Sequence, residues 1–137
     1  MQEVVHARGH EHVAATHDTT FEVTTDDWLT PAGDCIVGVE ADRAPVDFDD
    51  AFVDACQDPE AAIILTLDVD GATQTVRAHG HPDLTFESDR SAVVRTSTYV
   101  DDRTVAVGAG AAASDLDRGL ITALADGVDC TLTLTVE

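Results

Sequence analysis

The feature that most constrains the fold of this chain is a period-two alternation of apolar and polar residues. At the C-terminal end, Cys130, Leu132, Leu134 and Val136 alternate with threonines. Successive side chains of a β-strand point to opposite faces, so this pattern predicts a strand with one buried face. Residues 61–80 alternate in the same way on both sides of Asp70 and Gly71, a pair typical of a tight hairpin turn.

A turn at Asp70 and Gly71 predicts which hairpin side chains face the core. Arg77 and His79 then lie on the other face of the sheet. The predicted buried pairs are Leu67 with Gln74, Leu65 with Val76, and Ile63 with Ala78.

The remaining segments complete a mainly β protein. Further strands are predicted at residues 2–8, 13–23, 35–39, 91–96 and 103–108. A helix is predicted from Asp49 to Gln57, and a second from a capping box at Ser114 to Asp126, ended by Gly127. We expect eight or nine mainly antiparallel strands and two short helices, with no internal repeat. This predicts an antiparallel β-sandwich or partly closed barrel, forming one domain over residues 1–137.

Charge is the main compositional signal. The chain has 27 acidic residues, seven arginines and no lysine, for a formal net charge of -20. Its strand periodicity and 44% hydrophobic content argue against disorder. We interpret the acidity as adaptation to high salt, where a Debye length of about 3 Å at 1 M screens self-repulsion. Without a basic stripe, nucleic-acid binding is not expected.

The compartment is predicted from what the chain does not contain. No apolar run reaches the length of a membrane span, and the first ten residues lack the apolar core of a signal peptide. Three cysteines at no metal-type spacing do not suggest a disulfide framework. We therefore expect a cytoplasmic protein with no membrane contact.

Histidines concentrate in the segment from Arg8 to Glu40, which contains RGHEHVAATHDTTFEVTT and GDCIVGVE. The alternation over 13–23 places His17 and Thr19 on the same inward row as Phe21 and Val23. A buried histidine needs a partner, because an unpaired buried polar group costs about 1–3 kcal/mol.

Several of these motifs resemble a known family. RGHEHVAATHDTTFEVT, LTPAGDCIVGV, HGHPDL, YVDDRT and SDLDR are together similar to an archaeal family called domain of unknown function 371, over nearly the whole chain. The resemblance implies a β-sandwich of jelly-roll type. The family has no established activity, so no catalytic residues follow from it.

The resemblance does imply which residues fit the family pattern. His12 and His79 look incidental. A lysine is expected near Ala111, and this chain has none there. Either this protein has lost a lysine that takes part in chemistry in its relatives, or lysine was removed in a salt-adapted chain. The matching residues are Arg8, His10, His17, Thr19, Thr20, Asp34, Cys35 and His81.

A divalent metal site is the first chemical hypothesis. His10, His17 and His81, with Asp34 or Cys35, offer ligand types that suit zinc or another late transition metal. The chain has no HExxH motif and no paired CxxC motif, so the local spacing does not support a particular metal. The cofactor is left open.

A metal-free site for a small anionic ligand is the second hypothesis. Arg8, Arg95 and Arg103 would bind carboxylate or phosphate, and Thr19 would line the cavity. Pairing of Arg95 or Arg103, which lie in or beside strands, with one of the many aspartates is the structural alternative.

A nucleophilic site is the third hypothesis, with His17 as general base, Cys35 as nucleophile and Asp34 beside them. Its alternatives are a Cys35 buried as a small hydrophobe and a His17 bonded to Asp34 or Thr19.

The best functional prediction is binding of a small anionic ligand in a cleft near His10, His17, Asp34, Cys35 and His81. Hydrolytic or transfer chemistry stays open and a metal is optional, so the sequence does not decide whether the protein is an enzyme. The alternative is a non-catalytic structural or interaction module with structural histidines. Ligand identity and oligomeric state are not predicted.

Overall fold

Two four-stranded sheets enclose the core. The computed structural model describes residues 1–137. The first sheet has the strand order β1-β8-β4-β5, and the second has the order β3-β2-β6-β7. The strands are β1 (Gln2–Arg8), β2 (Thr20–Thr24), β3 (Ile36–Gly38), β4 (Ala62–Val69), β5 (Ala72–His79), β6 (Ser91–Arg95), β7 (Thr104–Ala106) and β8 (Asp129–Val136). The helices are α1 (Asp50–Cys56) and α2 (Arg118–Ala125), each preceded by a 3-10 turn, Pro45–Asp47 and Ala113–Asp115.

The predicted fold class is confirmed: a mainly β, sandwich-like fold with two short helices. The first sheet is antiparallel throughout, but β2 pairs with β3 and β6 with β7 in parallel. These parallel pairs differ from a jelly roll, which is built of antiparallel strands. Single bridges, Arg8 with Val39 and His79 with Val107, join the two sheets at both edges.

The hairpin of β4 and β5 is confirmed in its register. Leu67 pairs with Gln74, Leu65 with Val76, and Ile63 with Ala78. Asp70 and Gly71 form the turn, both with positive φ. Arg77 and His79 are exposed, as the alternation predicts.

The prediction of no internal repeat was wrong, because the chain consists of two similar units. The first unit runs β1-β2-β3-α1-β4 and the second runs β5-β6-β7-α2-β8, each with a 3-10 turn before its helix. Equivalent strands take equivalent places: β4 and β8 are central in the first sheet, and β2 and β6 are central in the second. An approximate two-fold axis therefore passes between Thr66 and Thr133, which pair, and between Glu22 and Val93.

A short sequence trace of the repeat is visible once the structure is known. ARGH at residues 7–10 recurs as AHGH at 78–81, and DFD at 47–49 recurs as DLD at 115–117. A Cβ at Gly9 would overlap the carbonyl oxygen of Leu124, and one at Gly80 would overlap that of Cys56. Each unit's glycine thus lets its backbone approach the end of the other unit's helix, where only glycine fits.

The predicted strand at 13–23 is much shorter in the structure. Only Thr20–Thr24 forms β2, and residues 9–19 lie outside any strand. Val13 and Ala15 are buried in the core from this loop, and Ala15 has a positive φ that bends the chain. The alternation reflected apolar loop residues that pack into the core, not a longer ladder.

The predicted start of the second helix was also wrong. Ser114 lies in the 3-10 turn, and α2 begins after Asp117, whose carboxylate accepts a hydrogen bond from the Leu120 amide. Asp49 plays the same role for α1 through the Ala51 amide. Leu120, Ile121 and Leu124 are buried as predicted.

Candidate functional site

The three histidines predicted as metal ligands lie apart and contact their own local backbone. Nδ1 of His10 accepts a hydrogen bond from the His12 amide at 3.0 Å. Nδ1 of His81 accepts one from the Asp83 amide at 3.0 Å. Since the two occupy equivalent positions in the two units, they have the same role in the fold.

His17 is tied to the turn that precedes β2. Its Nδ1 accepts hydrogen bonds from the amides of Thr20 at 3.1 Å and Thr19 at 3.2 Å. His17 is half-buried and Thr19 is exposed, so the prediction that both face inward was wrong. The reason is that β2 starts only at Thr20.

No three His, Cys, Asp or Glu side chains of the chain lie close enough together to hold a metal ion. The structure therefore does not assemble His10, His17 and His81 into the predicted ligand set. His10 lines a groove with Arg8, Glu40 and Asp126, whereas His81 lines another with Tyr99 and Asp101.

Cys35 has the wrong electrostatic surroundings for a nucleophile. Its thiol donates a long hydrogen bond of 3.7 Å to Oε1 of Glu22. Burial, followed by the negative charge of Glu22, raises the pKa of the Cys35 thiol to about 11. A reactive cysteine needs an electropositive setting that lowers this pKa, so Cys35 stays protonated at neutral pH.

Asp34 contacts His17 through its backbone. The carbonyl oxygen of Asp34 accepts hydrogen bonds from the amides of Thr16 at 3.0 Å and His17 at 3.2 Å. The His17 imidazole nitrogen Nδ1 is held by Thr19 and Thr20, not by the Asp34 carboxylate. This is the structural alternative for His17.

Five of the predicted residues do gather around one surface, on the outer side of the second sheet. His17, Thr19 and Cys35 come from the first unit, and Arg95 and Arg103 from the second. Thr20 pairs with Arg95 across the sheet, and Glu22 joins Cys35 to Arg103. Arg8 and His10 lie elsewhere, whereas His81 lines the neighbouring groove with Asp101, the residue that pairs with both arginines.

Sequence reasoning missed three residues of this surface: Trp28, Arg90 and Tyr99. Trp28 and Tyr99 are the only tryptophan and tyrosine of the chain, and their side chains are 55% and 62% exposed. They lie 71 residues apart at equivalent positions of the two units, a signal that recognition of the repeat would have revealed. We call the surface formed by Trp28, Arg90, Arg95, Tyr99 and Arg103 the arginine face.

Arg95 is firmly held. Its Nε donates to Oγ1 of Thr104 at 2.8 Å and its Nη2 donates to Oδ2 of Asp101 at 3.0 Å. The guanidinium carbon lies 4.9 Å from the Tyr99 ring centroid, within cation-π range. Burial opposes ionisation of Asp101, but hydrogen bonds from Thr104 and the Arg103 amide, with both guanidinium charges, hold its pKa below the usual value.

Arg103 is loosely held by comparison. Its Nη2 lies 3.3 Å from Oδ2 of Asp101 and its Nη1 lies 3.9 Å from Oε1 of Glu22, while its side chain is 45% exposed. Glu22 itself is only 8% exposed. Arg103 thus retains guanidinium hydrogens that a ligand in solvent can reach.

Arg90 closes the other end of the arginine face. Its Nε and Nη2 contact the Asp26 carboxylate at 3.0 and 2.7 Å, and its guanidinium lies 6.0 Å from the Trp28 ring centroid. The hydrogen bonds and charge of Arg90 lower the pKa of Asp26, although burial opposes this. Arg90 stays largely exposed.

Arg8 forms a separate ion pair with Glu40 at 3.3 Å, and its side chain is 52% exposed. It lines the groove that contains His10, on the side of Gly127. The structure therefore does not place all three predicted anion clamps at one site.

The repeat gives a structural context for Ala111. Arg43 occupies the equivalent position in the first unit, where it pairs with the buried Glu3 at 2.8 Å. Glu3 accepts from the Asp49 amide, and its counterpart Gln74 accepts from the Asp117 amide. The second unit therefore lacks both charges of the pair that the first unit contains.

The chain has relatives among known proteins. A family model described as Domain of unknown function (DUF371) matches residues 5–137. An uncharacterised protein of Methanocaldococcus jannaschii is 36% identical over 127 residues, covering 93% of each chain. No helix of the chain is both long enough and apolar enough to span a membrane.

Proposed function

Because this chain belongs to the family described as Domain of unknown function (DUF371), which names no activity, we propose a function from geometry: it binds a small anionic ligand on the arginine face. The observation that carries the proposal is the position of its arginines. Three of the seven, Arg90, Arg95 and Arg103, surround one surface beside the only two exposed aromatic rings.

Charge favours this surface over most of the molecule for an anion. Arg90, Arg95 and Arg103 balance the carboxylates of Asp26, Asp101 and Glu22, so these six side chains together carry no net charge in a chain of net charge -20. Over most of the remaining surface an anion meets an excess of carboxylates, which repel it.

Different side chains of the arginine face contact different parts of the ligand. Arg103 and Arg90 offer guanidinium N–H groups, which suit carboxylate or phosphate oxygens. Asp101 fixes Arg95, and Arg95 in turn fixes Tyr99 by stacking. Trp28 and Tyr99 can then pack against an apolar or planar part of the ligand.

The proposal contains no covalent step. The thiol of Cys35 is protonated at neutral pH, and His10, His17 and His81 use Nδ1 to organise turns. These contacts equally favour the second candidate function, a non-catalytic interaction module with structural histidines. Under either function, the high acidity and the lack of lysine support adaptation of the protein to high salt.

Trp28 provides a native fluorescent probe for the first proposal, since it is the only tryptophan. We expect titration with inorganic pyrophosphate or adenosine monophosphate to change its emission and raise the melting temperature. Arg103→Ala should weaken that binding about tenfold or more, since hydrogen bonds to charged groups contribute about 1.5–3 kcal/mol.

Arg8→Ala is the matched control, because Arg8 and Arg103 are similarly exposed and each forms a 3.3 Å ion pair. It should leave the affinity unchanged. Unchanged emission with both anions, or an equal loss of affinity in the two variants, would contradict binding on the arginine face.

A further inference from the structure

The outer face of the first sheet differs in charge from the chain as a whole. Residues of all four strands alternate, so one set faces the core and the other faces out. The outward set is Gln2, Val4, His6, Arg8, Ala62, Ile64, Thr66, Asp68, Thr73, Thr75, Arg77, His79, Asp129, Thr131, Thr133 and Thr135. We call it the threonine face, since six of its members are threonines.

The threonine face has no net charge. Two of the 27 acidic residues, Asp68 and Asp129, lie on it, together with two of the seven arginines, Arg8 and Arg77. Its formal charge is zero, and the whole net charge of -20 lies elsewhere on the chain. Two copies of this protein repel each other in most orientations, but the threonine face lets them meet without opposing like charges.

The size of the face suits a stable contact between copies. Strand spacing and rise give these four strands of seven or eight residues dimensions of about 20 Å by 25 Å, or about 500 Å² in projection. Two such faces together reach the roughly 1,000 Å² that a specific interface needs. Face-to-face packing of sheets with β-branched side chains is a common arrangement in sandwiches.

Arg77 supplies a positive charge that complements the carboxylate of Asp68 on a second copy. It is the only arginine whose guanidinium makes no hydrogen bond or ion pair within the chain. Ile64 pairs with Arg77 and Asp68 pairs with Thr73, two residues to either side of the Thr66–Thr75 pair. Arg77 and Asp68 therefore lie on opposite sides of the middle row of the face.

Consider a two-fold axis that lies between two copies and runs along this middle row, perpendicular to the strands. Rotation by 180° about that axis places β5 of one copy over β5 of the other, with the two strands in opposite directions. Arg77 then lies over Thr73 of the second copy, beside Asp68 of that copy. The same contact forms twice in such a dimer, because the interface is isologous. We propose that the threonine face is a dimer interface and that its occupant is a second copy of this chain.

The test is the mass of the full-length protein in high salt, measured by light scattering and sedimentation over a range of concentrations. We expect a mass near twice that of the 14.4 kDa chain. Thr75→Glu places a carboxylate at the middle row of an exposed edge strand and should raise the dimer dissociation constant about tenfold or more, since like charges then face each other.

Thr16→Glu is the matched control, since Thr16 is also exposed but lies in a loop outside the strands of the face. It should leave the dimer intact. Arg77→Ala, which removes the unpaired guanidinium, should weaken the dimer without changing the circular dichroism spectrum. A parent protein that is monomeric at every concentration overturns the proposal, as does a Thr75→Glu variant that dimerises like the parent. Neither result bears on anion binding at the arginine face.

Discussion

His17 and Ser88 show how one backbone task is met by two different residues. Nδ1 of His17 accepts from the amides of Thr19 and Thr20. Oγ of Ser88, the equivalent residue of the second unit, accepts from the amides of Arg90 and Ser91 at 3.2 and 3.1 Å. The comparison indicates that the turn requires a side-chain hydrogen-bond acceptor, and that this acceptor does not have to be an imidazole.

His17→Ser should therefore keep the free energy of unfolding close to that of the parent, because serine supplies the same acceptor. His17→Ala should lower it by about 1–2 kcal/mol, as loss of a capping side chain does. Urea unfolding measures both, with Ser88→Ala as the control that should lose a similar amount. Equal losses for His17→Ser and His17→Ala would show that the imidazole has a role beyond the turn.

At the scale of elements, the 3-10 turn and helix of each unit attach differently to the first sheet. Arg43 joins Glu3 on β1 to the backbone oxygens of Val4 and Asp47. The second unit has Gln74 and Ala111 at the positions of Glu3 and Arg43. A neutral acceptor is thus sufficient to hold the start of α2 through the Asp117 amide.

Arg43→Ala should lower the free energy of unfolding by about 3 kcal/mol, because it leaves the buried carboxylate of Glu3 without its partner. The double variant Glu3→Gln with Arg43→Ala copies the second unit and should recover most of that loss. A double-mutant cycle on thermal or urea unfolding measures the coupling. Additive losses would show that the two side chains act independently.

At the scale of the whole molecule, a net charge of -20 on 137 residues must be destabilising at low ionic strength. Screening becomes strong as the Debye length falls from about 10 Å at 0.1 M to about 3 Å at 1 M salt. We expect the melting temperature to rise steeply with sodium chloride over this range. An uncharged osmolyte at equal osmolality is the control, and a melting temperature insensitive to salt would contradict the electrostatic account.

Local patterns predicted the elements whose burial is periodic, and failed where loops enter the core. The β4–β5 hairpin, β8 and α1 were predicted within a residue or two. The segment around Val13 and Ala15 was misread as a strand, since a core-packing loop and a strand can share an alternating pattern. The repeat was missed because only a few positions, such as Gly9 and Gly80, keep their identity between the units.

The sequence alone determined the mainly β class, the strand faces and the charge, because alternation and composition act through local geometry and simple counting. It also supplied Arg95, Arg103 and Cys35 as residues of interest. Only the tertiary structure decided that Cys35 faces Glu22, that His10, His17 and His81 lie apart, and that Trp28 and Tyr99 flank the arginines. These outcomes depend on which strands pair and how the two units combine, and such long-range contacts leave no periodic signal in the chain.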